Sequence, residues 1–319
     1  MLIISRKDIE EAVSSEELIK AIEKAYSIQN DPSTIIPDRM HINHNENTLL
    51  LMPGFTHGTM ATKLVSVFPG NKQKNKPAIY GVVVLNDAET GEPVAIINGT
   101  KLTAMRTGAV GAAAAKYLAG TDTETLGVIG TGVQAFHQAL MISETNHIKK
   151  LIVGARTSEK AKTFISALRE NIPEVTIETT TDFNSLVKKS DVIVTATSSS
   201  EPVFDVDAKE LIGKTIIAIG SYKPDMQELP LSVFEAAEKV FVDTIHAKTE
   251  SGDIKIPLEK GLIKDEDIIP FSELLKKPEL KNNGLNVFKS VGMALFDLTC
   301  AELIYRKAKE KGLGTEIEL

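Results

Sequence analysis

A glycine-rich turn near the middle of the chain joins an apolar run to a segment of helical character. Leu126–Ile129 is apolar, Gly130-Thr131-Gly132 follows it, and Val133–Ile142 has the composition of a helix. A strand, a glycine turn and a helix start in this order can bind a dinucleotide, because glycines let the backbone approach a pyrophosphate and the helix N-terminus attracts its charge. Ala135 replaces the third glycine of the usual pattern. Alone the motif is weak, since glycine turns also join strands to helices without a ligand.

Three cationic side chains ahead of this turn are candidates for binding an anion. Arg39 follows Pro-Asp, Lys63 lies inside an apolar strand candidate, and Arg106 lies in a helix rich in alanine and glycine. Lys63 is the sharpest candidate, because a lysine among apolar neighbours is desolvated unless it meets an anion or its pKa falls. Three converging cations can hold a carboxylate and orient an amine or imine. The alternatives are a surface Arg39, an edge-strand Lys63 and an Arg106 on the helix surface.

The end of the second strand after the glycine turn bears on which cofactor is preferred. Enzymes that prefer NAD often carry an acid at this place, where it binds the ribose 2′-hydroxyl. Here Leu151–Val153 is followed by Gly154-Ala155-Arg156-Thr157, which contains no acid. Arg156 and Thr157 can instead hold a 2′-phosphate, so the sequence predicts NADP(H), with NAD(H) as the alternative. A plain loop into the next helix is the other interpretation.

Composition excludes several classes of function. The 319 residues are 42% hydrophobic and 25% charged, as in a soluble globular protein of about two domains or of one large α/β domain. A net charge of −7 disfavours nucleic-acid or anionic-membrane partners. No apolar run is long enough to span a membrane, early acids disfavour a signal peptide, and we expect a cytoplasmic location. The histidines lack metal-ligand spacing, so no metal is expected. Cys300, the one cysteine, is interpreted as a buried small hydrophobe rather than a catalytic thiol.

The order of predicted elements indicates an α/β protein. A first group of strands has the turn spacing of an antiparallel sheet. A helix over Thr100–Ala119 follows, and strands then alternate with helices, which indicates βαβ crossovers and a parallel sheet. Val287–Lys309 is expected to close the chain as one long amphipathic helix. The first group comprises Thr48–Met52, Ala61–Phe68, Ile79–Asn86 and Pro93–Asn98.

Seven stretches, spread over nearly the whole chain, carry a family resemblance. They read MATKLVSVFPGN, LNDAETGEPVAIINGTKLTAMRTGA, GVIGTGVQA, VTATSSSEPVF, AIGSYKPDMQEL, ESGDI and VFKSVGMALFDL. In order and spacing they resemble the ornithine cyclodeaminase/μ-crystallin family, which includes archaeal-type alanine dehydrogenases and imino-acid reductases. The resemblance implies a doubly wound Rossmann domain over residues 120–287, inserted into an α+β substrate and dimerisation domain over residues 1–119 plus 288–319. It also implies a homodimer.

Roles for individual residues follow from the resemblance together with the glycine turn and the later strand ends. Arg39, Lys63 and Arg106 would bind the substrate carboxylate and the region of the reacting nitrogen, with Lys63 and Arg106 catalytic. Arg106 would also approach the cofactor. The expected cofactor-binding residues are Gly130, Thr131, Gly132, Val133, Gln134, Arg156, Thr157, Thr195, Ala196, Thr197, Ile219, Gly220, Ser221, Ser290, Val291 and Gly292.

One departure from the family pattern distinguishes between activities. The resemblance implies that cyclodeaminases and archaeal alanine dehydrogenases carry an aspartate two residues after the glycine of the AIG strand end. This chain has Tyr222 at that position. A carboxylate there can move a proton during deamination, whereas a phenol with an ordinary pKa of about 10 is a poor base near neutral pH. Tyr222 is therefore expected to bind substrate, by a hydrogen bond or by closing an apolar pocket.

These observations predict an NAD(P)H-dependent oxidoreductase acting on C=N bonds of a small imino or amino acid. The favoured reaction reduces Δ1-pyrroline-2-carboxylate to L-proline, and the six-membered homologue, Δ1-piperideine-2-carboxylate to L-pipecolate, is also plausible. The alternatives are an ornithine cyclodeaminase that forms proline and ammonia, an alanine-type dehydrogenase, and a non-catalytic NADP-binding protein of the crystallin kind.

Overall fold

The computed structural model describes residues 1–318, apart from the side chain of residue 72, and divides into two compact units. The first unit comprises Met1–Arg106 and Met293–Leu319, and the second comprises Thr107–Gly292. The segment of the second unit is thus inserted between the two segments of the first. The functions assigned from the sequence to residues 1–119 plus 288–319 and to residues 120–287 stay predictions.

The first segment of the first unit contains strands and helices, and its last residue, Arg106, lies inside a long helix. The helix is rich in alanine and glycine, and its side chains are buried over most of its length because small residues allow close packing. The elements are β1 (Leu2–Ile4), α1 (Arg6–Ala12), α2 (Ser15–Ile28), β2 (Met40–His44), β3 (Asn47–Thr56), β4 (Thr59–Val67), β5 (Ile79–Asp87), β6 (Pro93–Asn98) and α3 (Gly99–Leu118).

Strands and helices alternate through the second unit. Its interior strands at residues 125–129, 150–154 and 192–195 are short apolar runs that are buried almost throughout, as expected for a parallel sheet covered on both faces. The elements are β7 (Thr125–Ile129), α4 (Val133–Thr145), β8 (Lys150–Gly154), α5 (Ser158–Arg169), β9 (Thr176–Thr180), α6 (Phe183–Lys189), β10 (Val192–Thr195), β11 (Thr215–Ala218), α7 (Leu231–Ala236), β12 (Val240–Val242), α8 (Ala247–Glu250), α9 (Gly252–Glu259), β13 (Ile268–Pro270), α10 (Phe271–Lys276) and β14 (Asn286–Lys289).

The chain then returns to the first unit as α11 (Ala294–Lys311) and β15 (Thr315–Glu316). The sheet of this unit has the strand order β15-β1-β6-β5-β4-β3-β2, and α11 packs on β3, β4 and β5. From β2 to β6 every pairing is antiparallel, as the turn spacing predicts. The β1 strand pairs parallel with β6 and antiparallel with β15.

The sheet of the second unit has the order β13-β12-β14-β11-β10-β7-β8-β9, and its described pairings are all parallel. The strand order reverses between β7 and β10, because β8 and β9 lie on one side of β7 and β10 and β11 on the other. Such a reversal is the topological switch point at which doubly wound sheets bind nucleotides. The α/β class and the parallel sheet are confirmed.

The prediction of one helix over Val287–Lys309 is wrong. Asn286–Lys289 is the fully buried strand β14 between β11 and β12, and α11 begins only at Ala294. Gly292 has a φ of 77°, which ends the extended segment before the helix. A short apolar run carries no periodicity that separates a buried strand from a buried helix, so the two elements were merged.

Candidate functional site

Lys63 lies on an interior strand with its side chain on the inner face of the sheet. Its strand, β4, pairs with β3 and β5, so the edge-strand alternative is wrong. Met52 and Val83 are its register partners, and all three residues are buried. Because side chains alternate between the two faces of a strand, Lys63 belongs to the buried face against which α11 packs.

A buried carboxylate on α11 binds both Lys63 and Arg106. The Nζ of Lys63 lies 2.5 Å from Oδ2 of Asp297, and the Nε of Arg106 lies 3.0 Å from Oδ1. All three side chains are buried: Lys63 is 4% exposed, Arg106 is 7% exposed and Asp297 is 3% exposed. Asp297 lies in the first turn of its helix, where the macrodipole also favours a negative charge. The helix-surface alternative for Arg106 is therefore wrong, and the structure brings two of the three predicted cations together.

Burial and neighbouring charges shift the pKa values of this cluster. Burial lowers the pKa of Lys63 to about 8; the charge of Asp297 opposes this shift, and the charges of Arg106 and Arg39 add to it. Burial alone would raise the pKa of Asp297, but the charges of Arg106 and Lys63 hold it below its usual value. Arg39 is half-buried and close enough to act on Lys63 electrostatically. Two cations therefore contact the carboxylate of Asp297, and a third, Arg39, acts on Lys63 through its charge.

Cys300 lies one turn after Asp297 on α11 and is fully buried. Burial and the charge of Asp297 raise the pKa of its thiol to about 12. The thiol is therefore protonated at neutral pH, which matches the interpretation of this residue as a small hydrophobe and not a nucleophile.

The predicted glycine turn lies at the switch point of the second sheet. Gly130 has a φ of 127°, and a Cβ atom there would lie 2.6 Å from the backbone oxygen of Ala196, which follows β10. At Gly132, by contrast, a Cβ atom would meet nothing within 4 Å. Val133 begins α4 with its side chain 63% exposed, and the N–H groups of a first helical turn have no partner within the helix. The turn thus leaves room for a phosphate.

Other predicted cofactor residues surround this turn in the second unit. The side-chain oxygen of Gln134 is buried without a hydrogen-bond partner in the described part of the chain, which leaves it able to accept from a ligand. Thr131 is half-buried, whereas Arg156 and Thr157 are exposed after β8. Thr157 is the N-cap of α5, yet its side chain makes no capping hydrogen bond. The assignment of these residues to a cofactor stays a prediction.

Two buried carboxylates that the sequence reasoning missed hold the remaining predicted cofactor segments. Glu228 accepts hydrogen bonds from the segments around Thr195–Thr197 and Gly220–Ser221. Asp243 accepts from the Ser290 hydroxyl at 2.7 Å and from the backbone N–H groups of Val291 and Gly292 at 3.0 Å and 2.6 Å. Ile219, which directly precedes Gly220, is also buried.

Tyr222 stands at the surface of the second unit. Its side chain is 51% exposed, and the Nζ of Lys223 lies 5.9 Å from its ring centroid, within cation–π range. The following residues Pro224 and Asp225 are also exposed. The ring is thus available to a ligand, although its predicted substrate contact stays a prediction.

Comparison with known proteins identifies the family. The profile described as "Ornithine cyclodeaminase/mu-crystallin family" matches residues 1–312. The chain belongs to this family. A Delta(1)-pyrroline-2-carboxylate reductase of Bacillus cereus is 36% identical over 329 residues, covering 100% of both chains.

Two solved structures are similar to this chain over nearly their whole length. The Thermococcus litoralis Delta(1)-pyrroline-2-carboxylate reductase, solved with NADH and L-proline, is 34% identical with a TM-score of 0.90, covering 99% of this chain and 100% of that one. An archaeal alanine dehydrogenase, solved as a dimer with NAD, is 29% identical with a TM-score of 0.90, covering 100% and 99%.

Neither a membrane-spanning helix nor a cluster of metal ligands lies within residues 1–318. No helix there is long and apolar enough to cross a membrane. The same residues contain no group of three or more His, Cys, Asp or Glu side chains that could hold a metal ion.

Asp297, the most important residue that sequence reasoning missed, carried a usable signal. It is an acid within the apolar run MALFDL, just as Lys63 is a base within an apolar strand. Opposite charges in two apolar runs indicate a buried ion pair, because neither charge is stable there alone. Glu228 and Asp243 gave a weaker signal, since acids near strand ends are also common on protein surfaces.

We predict that Asp297→Asn lowers the free energy of unfolding by about 3 kcal/mol, because it leaves two buried cations without their carboxylate. Urea denaturation followed by circular dichroism measures the change. Glu302→Gln on the same helix is the matched control, since it breaks only the exposed ion pair with Lys24 and should cost less than about 1 kcal/mol. Equal losses in the two variants would contradict the prediction.

Proposed function

We propose that this protein is an NAD(P)H-dependent reductase of cyclic imino acids that converts Δ1-pyrroline-2-carboxylate to L-proline. The Lys63–Asp297–Arg106 cluster carries the proposal. Its two buried cations suit an anionic substrate, and the lowered pKa of Lys63 suits a substrate whose nitrogen must gain a proton. Full-length similarity to a reductase of this substrate supports it. The six-membered homologue, Δ1-piperideine-2-carboxylate, has the same carboxylate and C=N bond and is the second expected substrate.

Arg39 and Arg106 bind the substrate carboxylate in this proposal. A guanidinium presents several N–H donors in a plane, so it can pair with both oxygens of a carboxylate and fix its orientation. Arg106 is itself held by its Nε contact with Asp297, which limits the positions its remaining donors can take. Fixing the carboxylate also fixes which face of the adjacent C=N bond is presented, and this positioning is a major part of catalysis.

Lys63 supplies the proton. When bound, the reduced nicotinamide supplies a hydride to the imine carbon, and the π electrons of the C=N bond move to nitrogen. The nitrogen must then be protonated, directly or through a water molecule. With a pKa of about 8, Lys63 is mostly protonated at neutral pH and gives up its proton more readily than an ordinary lysine. Asp297 keeps the ammonium in place through the 2.5 Å ion pair.

A substrate panel tests the proposal. Oxidation of NADPH and NADH is followed with pyrroline-2-carboxylate, piperideine-2-carboxylate and pyruvate plus ammonia, and ammonia release from ornithine is measured separately. Turnover with the cyclic imines alone supports the reductase. Ammonia release from ornithine would support a cyclodeaminase, which Tyr222 disfavours because it supplies a phenol where those enzymes carry a carboxylate. Tight nucleotide binding without turnover would support a non-catalytic binder.

A homodimer is part of the proposal. The outer face of the first sheet, opposite to Lys63, exposes Met40, Ile42, Leu49 and Tyr80. Ile42 and Leu49 are direct register partners, so the apolar surface is continuous across the two strands. Exposed apolar faces of this kind are typical of protein interfaces, and an archaeal family member was solved as a dimer. We propose that a second copy of the chain covers this face, and that the dimer is cytoplasmic.

We predict that Lys63→Met lowers kcat for the imine at least about 100-fold, because the proton donor is lost while the volume of the side chain is kept. The dissociation constant of NAD(P)H, measured by nicotinamide fluorescence, should stay within about twofold. Lys101→Met is the matched control, since this lysine of the first unit is paired with Glu10 and should leave kcat unchanged. An equal loss of nucleotide affinity would remove Lys63 from the substrate site.

The wild-type pH profile gives an independent measure of the same role. Lys63 loses its proton as pH rises through about 8, so kcat/KM for the imine should fall about tenfold per pH unit above that value. Nucleotide affinity measured over the same range serves as the control. A profile that stays flat to pH 9.5 would exclude Lys63 as the proton donor.

We predict that Arg156→Ala weakens NADPH binding about tenfold or more and changes NADH binding less than about twofold. The reason is that the guanidinium bonds to the 2′-phosphate of NADPH, a group that NADH lacks. Titrations with both nucleotides measure the ratio. Arg169→Ala, an exposed arginine on α5, is the matched control. An unchanged ratio would contradict the 2′-phosphate assignment.

We predict that Ile42→Glu converts a dimer to a monomer, because it places charges on both sides of an apolar interface. Sedimentation velocity measures the mass of the particle, and far-UV circular dichroism checks that the variant is folded. Ile317→Glu, at another exposed apolar position of the first unit, should leave the dimer intact. Wild-type protein that sediments as a monomer would reject the assembly.

A further inference from the structure

Glu228, a buried carboxylate, joins the carboxyl ends of two adjacent strands in the second unit. Its Oε1 accepts from the backbone N–H of Thr197 at 2.6 Å and from the hydroxyl of the same residue at 2.7 Å. Its Oε2 accepts from the Thr195 hydroxyl at 3.1 Å and from the N–H groups of Gly220 at 2.7 Å and Ser221 at 3.2 Å. One side chain therefore binds the segments that follow both β10 and β11.

The two segments approach each other closely and need a hydrogen-bond acceptor such as the Glu228 carboxylate between them. A Cβ atom at Gly220 would overlap the backbone of Thr197, so the two backbones lie in direct contact. The N–H groups of Thr197, Gly220 and Ser221 point into the space between them, where only an acceptor with several lone pairs can satisfy all three. Because these N–H groups donate to Glu228, they are not available to a cofactor. They shape the site without binding its ligand.

A buried ion pair, Asp253 with Lys289, holds the backbone of Glu228 in place. The backbone N–H of Glu228 and that of Leu229 donate to Oδ1 of Asp253 at 2.7 Å and 3.0 Å. The other oxygen of Asp253 lies 3.0 Å from the Nζ of Lys289, and both of these side chains are fully buried. A buried carboxylate is costly unless it is paired and hydrogen-bonded, so this arrangement indicates a site that is held rigidly.

We propose that Glu228 is a positioning residue for the nicotinamide end of the cofactor. It sets the spacing between the Thr195–Thr197 and Ile219–Ser221 segments, which the sequence predicts to bind the cofactor, and the inference rests on the proposed function. The switch point of the sheet lies next to these segments, since Ile129 of β7 is the register partner of Thr195. Small displacements here move the reacting carbon of the nicotinamide and reduce the rate of hydride transfer.

Glu228→Gln tests the inference. The amide NH2 of glutamine, in either orientation, faces at least one backbone N–H, so one segment must move away. We expect the dissociation constants of NADH and NADPH to rise at least about tenfold, and kcat at saturating cofactor to fall at least about tenfold. The KM for the imine at saturating cofactor should change less than about twofold. Direct nucleotide titration and steady-state kinetics measure these values separately.

Asp191→Asn is the matched control. Asp191 likewise accepts two backbone N–H groups, from Glu124 at 3.0 Å and Thr125 at 2.8 Å, but at the amino end of the same sheet. It should lower the melting temperature and leave nucleotide affinity within about twofold. If Asp191→Asn weakens nucleotide binding as much as Glu228→Gln, the effect is general loosening of the sheet and the inference is overturned.

The remaining outcomes are also decisive. Unchanged nucleotide affinity and unchanged kcat in Glu228→Gln overturn the inference while leaving the proposed function intact. A wild-type protein that binds neither nucleotide overturns the proposed function itself. If Glu228→Gln does not fold, Glu228→Asp replaces it, because aspartate keeps the charge but is too short to reach both strands. A loss of nucleotide affinity of about threefold or more in that variant supports the inference, and an unchanged affinity overturns it.

Discussion

The first unit depends on the pairing of one buried carboxylate with two buried cations. An ionised Asp297 is costly in an apolar core without Lys63 and Arg106, and the two buried cations are costly there without Asp297. The pairing does not neutralise the cluster, because two cations contact one acid and the charge of Arg39 also acts on Lys63. The same arrangement therefore stabilises three charges away from water and leaves a positive potential for an anionic ligand. Stability and proposed function are linked through a single side chain.

The second unit uses carboxylates for a different purpose. Glu228 and Asp243 accept backbone N–H groups from the segments that follow β10, β11 and β14, where a parallel sheet has no further strand partners. Loops at strand ends are usually mobile because they lack regular hydrogen bonds. Here buried acceptors replace the missing ladder and give those loops a defined shape. The glycine turn after β7 contributes in the opposite way, since the missing side chain of Gly132 leaves open space at the start of α4.

Local physical arguments predicted much of this structure from the sequence. The antiparallel strands, the parallel sheet and the glycine turn follow from short-range patterns. The desolvation argument correctly placed Lys63 in a buried environment with an anion. The partner was missed because Asp297 is more than 200 residues away, and its place in the apolar run MALFDL is the one signal that points to it. The prediction of helix at Val287–Lys289 is wrong because the burial of this strand between β11 and β12 is decided by the sheet and leaves no local pattern.

The buried thiol of Cys300 has a practical consequence for spectroscopy. It is the one cysteine in the chain, and its raised pKa and full burial protect it from maleimides and methanethiosulfonates, which react with exposed thiolates. A cysteine introduced at a chosen surface position would therefore be the single reactive thiol in each chain. Spin labels or fluorophores can be attached at pairs of such positions without first deleting a native cysteine, so distances between the two units can be measured in otherwise unaltered protein.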